Sequence, residues 1–475
     1  MESRDDECLL DPGNVNVRYS INSPHEGKAS RLPQLFASTA ACLAGVAGGL
    51  ALGFSSPIVP ELLEEGVLSI GQASWFASMP TLGAILGGLI AGFMIERCGR
   101  KFTVMMCGPF AVIGWLLIAA TTNFEVMLTG RALTGIALGM SSLCVPVYVA
   151  EVASKDLRGG LGAMYQTSMT FGIFLSYCLG LALRRQWLAV ASSILPALSV
   201  ILMVMVPESP RWLIKCREDS AAASALLWLR GPSYNIEGEH QDITSSLSAH
   251  HDVFSWSDIK KPRFYKTFTV CIVIMVVQQM IGVNALGTYA QYILEQAGFK
   301  AFGKQAAVAL GVVGVLSTTI SCLVQDKAGR RVLLVISGLF CGLTMALLGA
   351  YFYMVKDLNQ TQRSSSNLRW MSITSAMVYV VFFSLAWGPT VWLLVAELLP
   401  SKGKGFVASS STAINWVMGF LVSKEFLDLQ SVLGEYGPFW LFAAVAIFGV
   451  VFILMVVPET RGRTLEEIEQ HFISN

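Results

Sequence analysis

The chain has 475 residues, of which 54% are hydrophobic and only 14% charged, and its mean hydropathy is +0.58. Soluble globular chains average about 45–50% apolar and about 25% charged residues, so the composition excludes an ordinary water-soluble domain. The formal net charge of +1 says nothing about partners, although its distribution along the chain is informative, and no nucleic-acid partner is expected.

The first 33 residues are polar and predict a cytosolic tail. A cleavable leader would bring its apolar region closer to the terminus. The tail contains Asp5-Asp6-Glu7-Cys8-Leu9-Leu10: an acidic residue (Asp5), three spacers, then Leu9 and Leu10. That is the pattern of a dileucine sorting signal read by clathrin adaptor complexes, with chance occurrence as the alternative. Leucines would fill an apolar slot while the acid meets a basic patch, and both contacts need a flexible peptide of this polar composition.

Beyond the tail the apolar residues fall in long runs, and about 20 of them cross a bilayer as one helix. The sequence predicts an all-α membrane protein with spans near 36–58, 73–95, 102–121, 126–150, 161–183, 187–206, 267–294, 305–325, 331–354, 371–396, 405–423 and 436–457. With the N-terminus inside, 24 of the 33 Lys and Arg are cytosolic, eight are outside and Arg131 lies within span four. The positive-inside rule then places both termini in the cytosol. The surrounding partner is membrane lipid. Ten cysteines, none in a CxxC pair, indicate neither a metal site nor a disulfide framework.

Three sequence marks appear twice along the chain. "ERCGRK" at Glu96–Lys101 follows span two and "DKAGRR" at Asp326–Arg331 follows span eight. "EVASKDLRG" from Glu151 follows span four and "ELLPSKGKG" from Glu397 follows span ten. "PESPRWL" from Pro207 closes span six and "PETRGRTL" from Pro458 closes span twelve. The offsets of 230, 246 and 251 residues make this a duplicated six-helix unit. Its expected parts are a bundle over 34–206, cytosolic linker helices over 207–265, a second bundle over 266–457 and a tail over 458–475. Beneath the first half Arg97, Arg100 and Lys101 are placed to meet Glu151 and Arg158. Beneath the second, Asp326, Arg330 and Arg331 are placed to meet Glu397 and Lys404. Arg131 needs a carboxylate or backbone partner, and the expectation is one in this same cytosolic network.

Span seven contains "VVQQMIGVN", with Gln278, Gln279 and Asn284 inside an apolar run. An amide kept from water costs on the order of 2–7 kcal/mol unless something hydrogen-bonds to it. On a straight helix Asn284 lies about 140° around from Gln279, so the three face one ligand only if the helix is interrupted, for which Gly282 is suitably placed. The alternative is interhelical glue, since buried amides often bond across membrane helices. The loop after span nine holds the one N-x-S/T sequon, Asn359-Gln360-Thr361, expected outside and glycosylated. Trp392 in span ten suits the apolar face of a ligand, or else a membrane interface.

These marks resemble the signatures of the sugar porter branch of the major facilitator superfamily over nearly the whole chain. "GFSSPIVP", "PVYVAE", "AWGP" with "WLL", and "FLVSKEF" are most similar to class III facilitated glucose transporters. The resemblance implies a major facilitator fold of twelve helices in two halves, with hexose, D-glucose first, as substrate. It implies sugar contacts from Gln166, Gln278, Gln279, Asn284, Trp392 and Asn415, Asn415 being equally suited to helix glue. It makes the cytosolic charges a latch that closes that side, and places the protein in late endosomes and lysosomes, with cycling to the plasma membrane as the alternative. Two departures stand out: Gly314 where many relatives carry Asn or Gln, and Ser384 where some class I members carry glutamate. Ser55 stands where proton-coupled relatives carry aspartate. No other Asp or Glu lies near mid-bilayer, so the expectation is a uniporter without cofactor or metal and without enzymatic activity. The alternatives are a proton-coupled sugar or disaccharide symporter, and a non-transporting sugar sensor, for which an 18-residue tail is short.

Overall fold

The computed structural model describes residues 29–154, 156–248, 262–398 and 404–459, and these are helical without a strand. Asp5, Leu9 and Leu10 lie outside the described residues, as do the side chains of Arg158, Asp326, Glu397 and Lys404.

The first half opens with α1 (Arg31–Gly53) and α2 (Ser55–Glu64), continuous through Phe54. It goes on through α3 (Ile70–Arg97), α4 (Arg100–Ala120), α5 (Phe124–Val152), the short α6 (Arg158–Gly162), α7 (Met164–Ala182) and α8 (Arg185–Val204). Local chemistry sets the starts. Ser69 and Gln72 exchange hydrogen bonds of 3.0 and 3.3 Å as a capping box on α3, and Asn123 accepts from Glu125 N at 2.9 Å on α5. The linker is α9 (Pro210–Lys215), α10 (Asp219–Arg230) and α11 (Ile236–Ser248). It is fastened by buried Arg230, which donates to both Glu239 oxygens at 2.7 and 2.9 Å and to the Val152 carbonyl ending α5 at 2.7 Å.

The second half comprises α12 (Pro262–Met280), α13 (Val283–Thr288) and α14 (Ala290–Leu294), then a π turn at Glu295–Phe299. There follow α15 (Gly303–Ala328), α16 (Arg330–Met354), α17 (Gln360–Ser365) and α18 (Arg369–Phe382). A second π turn at Phe383–Trp387 leads into α19 (Pro389–Leu398), α20 (Lys404–Leu433) and α21 (Gly437–Val456). Asn359 is the exposed N-cap of α17.

Among the described residues, ten helical segments are long and apolar enough to cross a membrane. The other two expected spans, α7 and α20, are equally long but more polar, carrying Gln166, Thr167, Ser168 and Thr170, and Ser409 to Thr412 with Asn415. Both belong where the halves meet, α7 against α15 and α20 against α3. Within a half, backbones approach at glycine. A Cβ added to Gly49 would lie 2.0 Å from the Met169 carbonyl, and one added to Gly87 2.1 Å from that of Ile136.

The two halves are joined across the outer side. Tyr177 Oη donates to Gly287 O at 2.6 Å, Gln291 N donates to Ser56 Oγ at 3.1 Å, and the Trp75 and Phe420 rings are 5.8 Å apart. These contacts join the halves at the end away from the linker helices, the outer end under the expected topology.

Candidate functional site

Span seven breaks at Gly282, as its amides require. There φ is +95°, in the left-handed region, and α12 ends two residues before it. The carbonyl of Ile281 beside the break is taken by Tyr379 Oη at 3.0 Å. A side chain at 282 would also meet the Phe442 ring at 2.5 Å. Glycine is therefore needed twice over, for conformation and for room.

The break brings four amides into one chain of hydrogen bonds. Asn284 Nδ2 donates to Gln279 Oε1 at 2.6 Å, and Gln279 Nε2 donates to Asn415 Oδ1 at 2.9 Å. Asn415 Nδ2 donates in turn to Gln278 Oε1 at 2.7 Å. Gln278 Nε2 then reaches the carbonyls of Trp387 and Gly388, at 2.7 and 3.1 Å, beside the π turn of span ten. The inner members are 1–7% exposed, and Asn284 at the open end is half-buried. Both sequence readings meet here: the amides are interhelical ties, and the chain ends in a group open to a ligand. Gln278 belongs to the tie, since its Nε2 donates to two fixed backbone carbonyls and its oxygen accepts from Asn415, whereas Gln279 bonds only to other side-chain amides.

Gln166 and Trp392 are half-buried and lie outside this chain of bonds. Gln166 is one turn before Thr170, whose hydroxyl donates to its carbonyl at 3.0 Å and lies 3.5 Å from Thr318 of α15. Positions four apart share a helix face, so Gln166 lies on the face of α7 that meets the second half. Gly314 joins that wall: an added Cβ would touch Thr170 at 3.5 Å and Val380 at 3.4 Å. Trp416 was missed. It follows Asn415, is 5% exposed, packs on Ala84 and Leu138 of the first half, and holds a buried indole N–H without a partner among the described residues.

Arg131 overturns the expected cytosolic partner. It is fully buried, donating to Ser55 Oγ at 2.6 Å, Ala51 O at 2.7 Å and Phe76 O at 3.2 Å. The Phe54 and Phe76 rings lie 5.5 and 5.1 Å from its guanidinium carbon. Twenty residues of helix, about 30 Å at 1.5 Å each, separate it from Glu151, which puts the network out of reach.

At the end of the bundle that meets the linker, Arg100 grips Glu151 with two bonds of 2.9 and 3.1 Å, and Ser209 Oγ donates to the same carboxylate. The N–H groups of Arg100 and Lys101, opening α4, donate to Glu208 at 3.0–3.1 Å. In the second half those of Arg330 and Arg331, opening α16, donate to Glu459 at 3.0 and 3.2 Å. Glu208 and Glu459, from the repeated "PES" and "PET", are thus matched helix caps that the sequence reading left without a role. Burial raises the Glu208 carboxyl above its ordinary range, against the bonds from Ser209, Lys101 and Arg100 that lower it. Arg97, expected in this network, is exposed with its guanidinium carbon 4.4 Å from the Phe93 ring centre, and Lys101 Nζ donates to Val204 O at 3.1 Å. A cavity of about 1010 Å³ beneath the first half is lined by linker residues such as Arg211 and His240 and holds none of the amides.

Two packed six-helix halves, a broken helix at their centre and uncharged amides along it define a multi-pass membrane transporter of the two-bundle kind. The sequence is specific about which: residues 34–472 match the family described as "Sugar (and other) transporter", and the chain belongs to that family. It is 38% identical to the facilitated glucose transporter member 8 of Bos taurus, over 98% of this chain and 99% of that one. It is 33% identical to the facilitated trehalose transporter Tret1 of Bombyx mori, over 95% and 90%. Among solved structures, the inward-open xylose transporter XylE from E. coli aligns with a TM-score of 0.76 at 23% identity, covering 91% of this chain and 98% of that one. That likeness shows the fold.

Proposed function

We propose that this chain is a facilitative hexose carrier, with D-glucose as substrate, working by alternating access between its two halves. The observation that carries this reading is the amide chain from Gln278 to Asn284 at the break of span seven. A sugar offers many donors and acceptors and no charge, and amides supply both without charge. Asn284 and Gln279 turn from each other to the sugar hydroxyls, Gln166 and Trp392 contribute from α7 and α19, and Gln278 and Asn415 hold the frame. The paired Ser55 and Arg131 supply no group that gains and loses a proton, which supports uniport. The ion pairs at the linker end act as a latch: Arg100 with Glu151, their side chains only 8% and 12% exposed, is its strong member, and exposed pairs such as Lys215 with Glu96 add about 0–1 kcal/mol each. Such a latch leaves two states of similar free energy.

A second reading, uptake of a disaccharide, is favoured by the Tret1 relatives and by the bare wall at Gly314. Asp5, Leu9 and Leu10 act as a clathrin-adaptor signal that keeps the carrier on late endosomes and lysosomes, and Asn359 bears a glycan on the lumenal side. Purified protein in liposomes tests the main reading. D-glucose should enter faster than L-glucose and compete with itself, whereas trehalose competing with far higher affinity would favour the second reading.

A further inference from the structure

A cavity of about 270 Å³ opens on the outer face where α2 of the first half meets α14 of the second. Gln291 forms part of its wall and of the closure, since its backbone N–H donates to Ser56 across the two halves at 3.1 Å. Its side chain is only half satisfied. Nε2 donates to Glu295 Oε1 at 2.6 Å, one turn on, while Oε1 is buried with no partner among the described residues, the whole residue being 4% exposed. A buried acceptor beside a carboxylate lacks one thing, a proton between them. We propose that Gln291 and Glu295 form a proton-binding site, read from the outer solution, whose occupancy holds the outer entrance shut.

In the occupied site Glu295 carries the proton as a carboxylic acid. It donates that O–H to Gln291 Oε1 while still accepting from Gln291 Nε2, so every polar atom of the buried amide is satisfied. No covalent bond changes. The charged groups around the site are Glu61, Glu64 and Glu65 at the end of the first span, Arg184 before α8, Lys300 before α15 and Lys304 in its first turn. Helices α17 and α18, which also pack on the π turn at Glu295–Phe299, bring Arg363, which donates to the Gln296 carbonyl at 3.1 Å and pairs with Glu435, and Arg369, which lies over the Phe299 ring. Lys300 lies 3.9 Å from Glu64 across the halves, an exposed pair of little strength. Burial raises the Glu295 carboxyl above its ordinary range and Glu64 adds to this, while the Gln291 bond, Lys300 and Lys304 lower it.

The sign follows from linkage. Opening parts α14 from α2 and returns Glu295 toward water and its ordinary range, so the closed state binds the proton more tightly. The added stabilisation of the closed state is full below the open-state value and fades as pH rises through the closed-state value. The site faces the outer solution in both states, so the proton is not carried across. It changes rate and leaves the end point alone.

Hydrogen–deuterium exchange of the full-length protein in nanodiscs reads the closure without any sugar. After correction for intrinsic exchange, the peptide over 283–299 should be at least about fivefold more protected at pH 5.5 than at pH 7.5, the low end of typical coupling. Glu295→Gln, which keeps an N–H to donate, should stay protected at both pH values. Gln291→Leu, which removes the acceptor, should stay poorly protected at both. Glu61→Gln should keep the pH dependence. Equal protection of the wild type at the two pH values, or a pH effect that survives Glu295→Gln, overturns the proposal.

Discussion

At the scale of single residues, the amides were legible because polar groups in an apolar run stand out against the cost of burying them. Their division of labour was not. Gln278 and Gln279 are neighbours in sequence, yet one is closed by Trp387 and Gly388 and the other points toward Asn284. Only the fold of span ten decides this. Removing the amide of Gln279 should forfeit about 1–1.5 kcal/mol for each sugar contact, so Gln279→Ala should weaken sugar binding roughly tenfold in equilibrium binding to purified protein. Wild-type affinity in that variant would place the site elsewhere. Arg131 is the converse case. Its span and its depth were readable, and counting the helical rise from Glu151 was enough to rule out a cytosolic partner. Ser55 was singled out from the resemblance alone, and the contact with Arg131 became visible only in three dimensions.

Among elements, the repeats carried the most information. Matched marks after spans two and eight and after spans six and twelve correspond to matched structures: Glu208 and Glu459 each cap a helix that begins just after a glycine with positive φ, Gly99 at 93° and Gly329 at 84°. The reading saw the repetition without the cap, because the partners lie 107 and 128 residues apart. Loss of a cap costs about 1 kcal/mol. Glu208→Ala and Glu459→Ala should each lower the thermal midpoint in detergent, with nearly additive effects since the sites are distant. The break of span seven is the sharper test. Gly282→Ala meets the left-handed penalty of about 1–2 kcal/mol and the Phe442 ring, and should cut sugar exchange at least tenfold per folded molecule. Unchanged exchange would show that the break does not position the amides. The polar residues of α7 and α20 fit their place between the halves, where they meet α15 and α3.

For the whole molecule, orientation and uncoupled transport are the claims that reach furthest. Asn359 is exposed and the expected topology puts it outside, so an endoglycosidase shift that disappears in Asn359→Gln is the expected result; a shift that persists would contradict the topology. Leu9→Ala with Leu10→Ala should move the protein to the cell surface, and an unchanged intracellular distribution would remove the dileucine from the account. The central claim is a carrier that equilibrates hexose without using a proton gradient. Purified protein in liposomes, given D-glucose under an imposed pH gradient, measures it directly. Internal glucose should rise to the external concentration and stop there, at a rate that pH alters and with an end point that it does not. Accumulation above the external concentration, abolished by an uncoupler, would contradict the account.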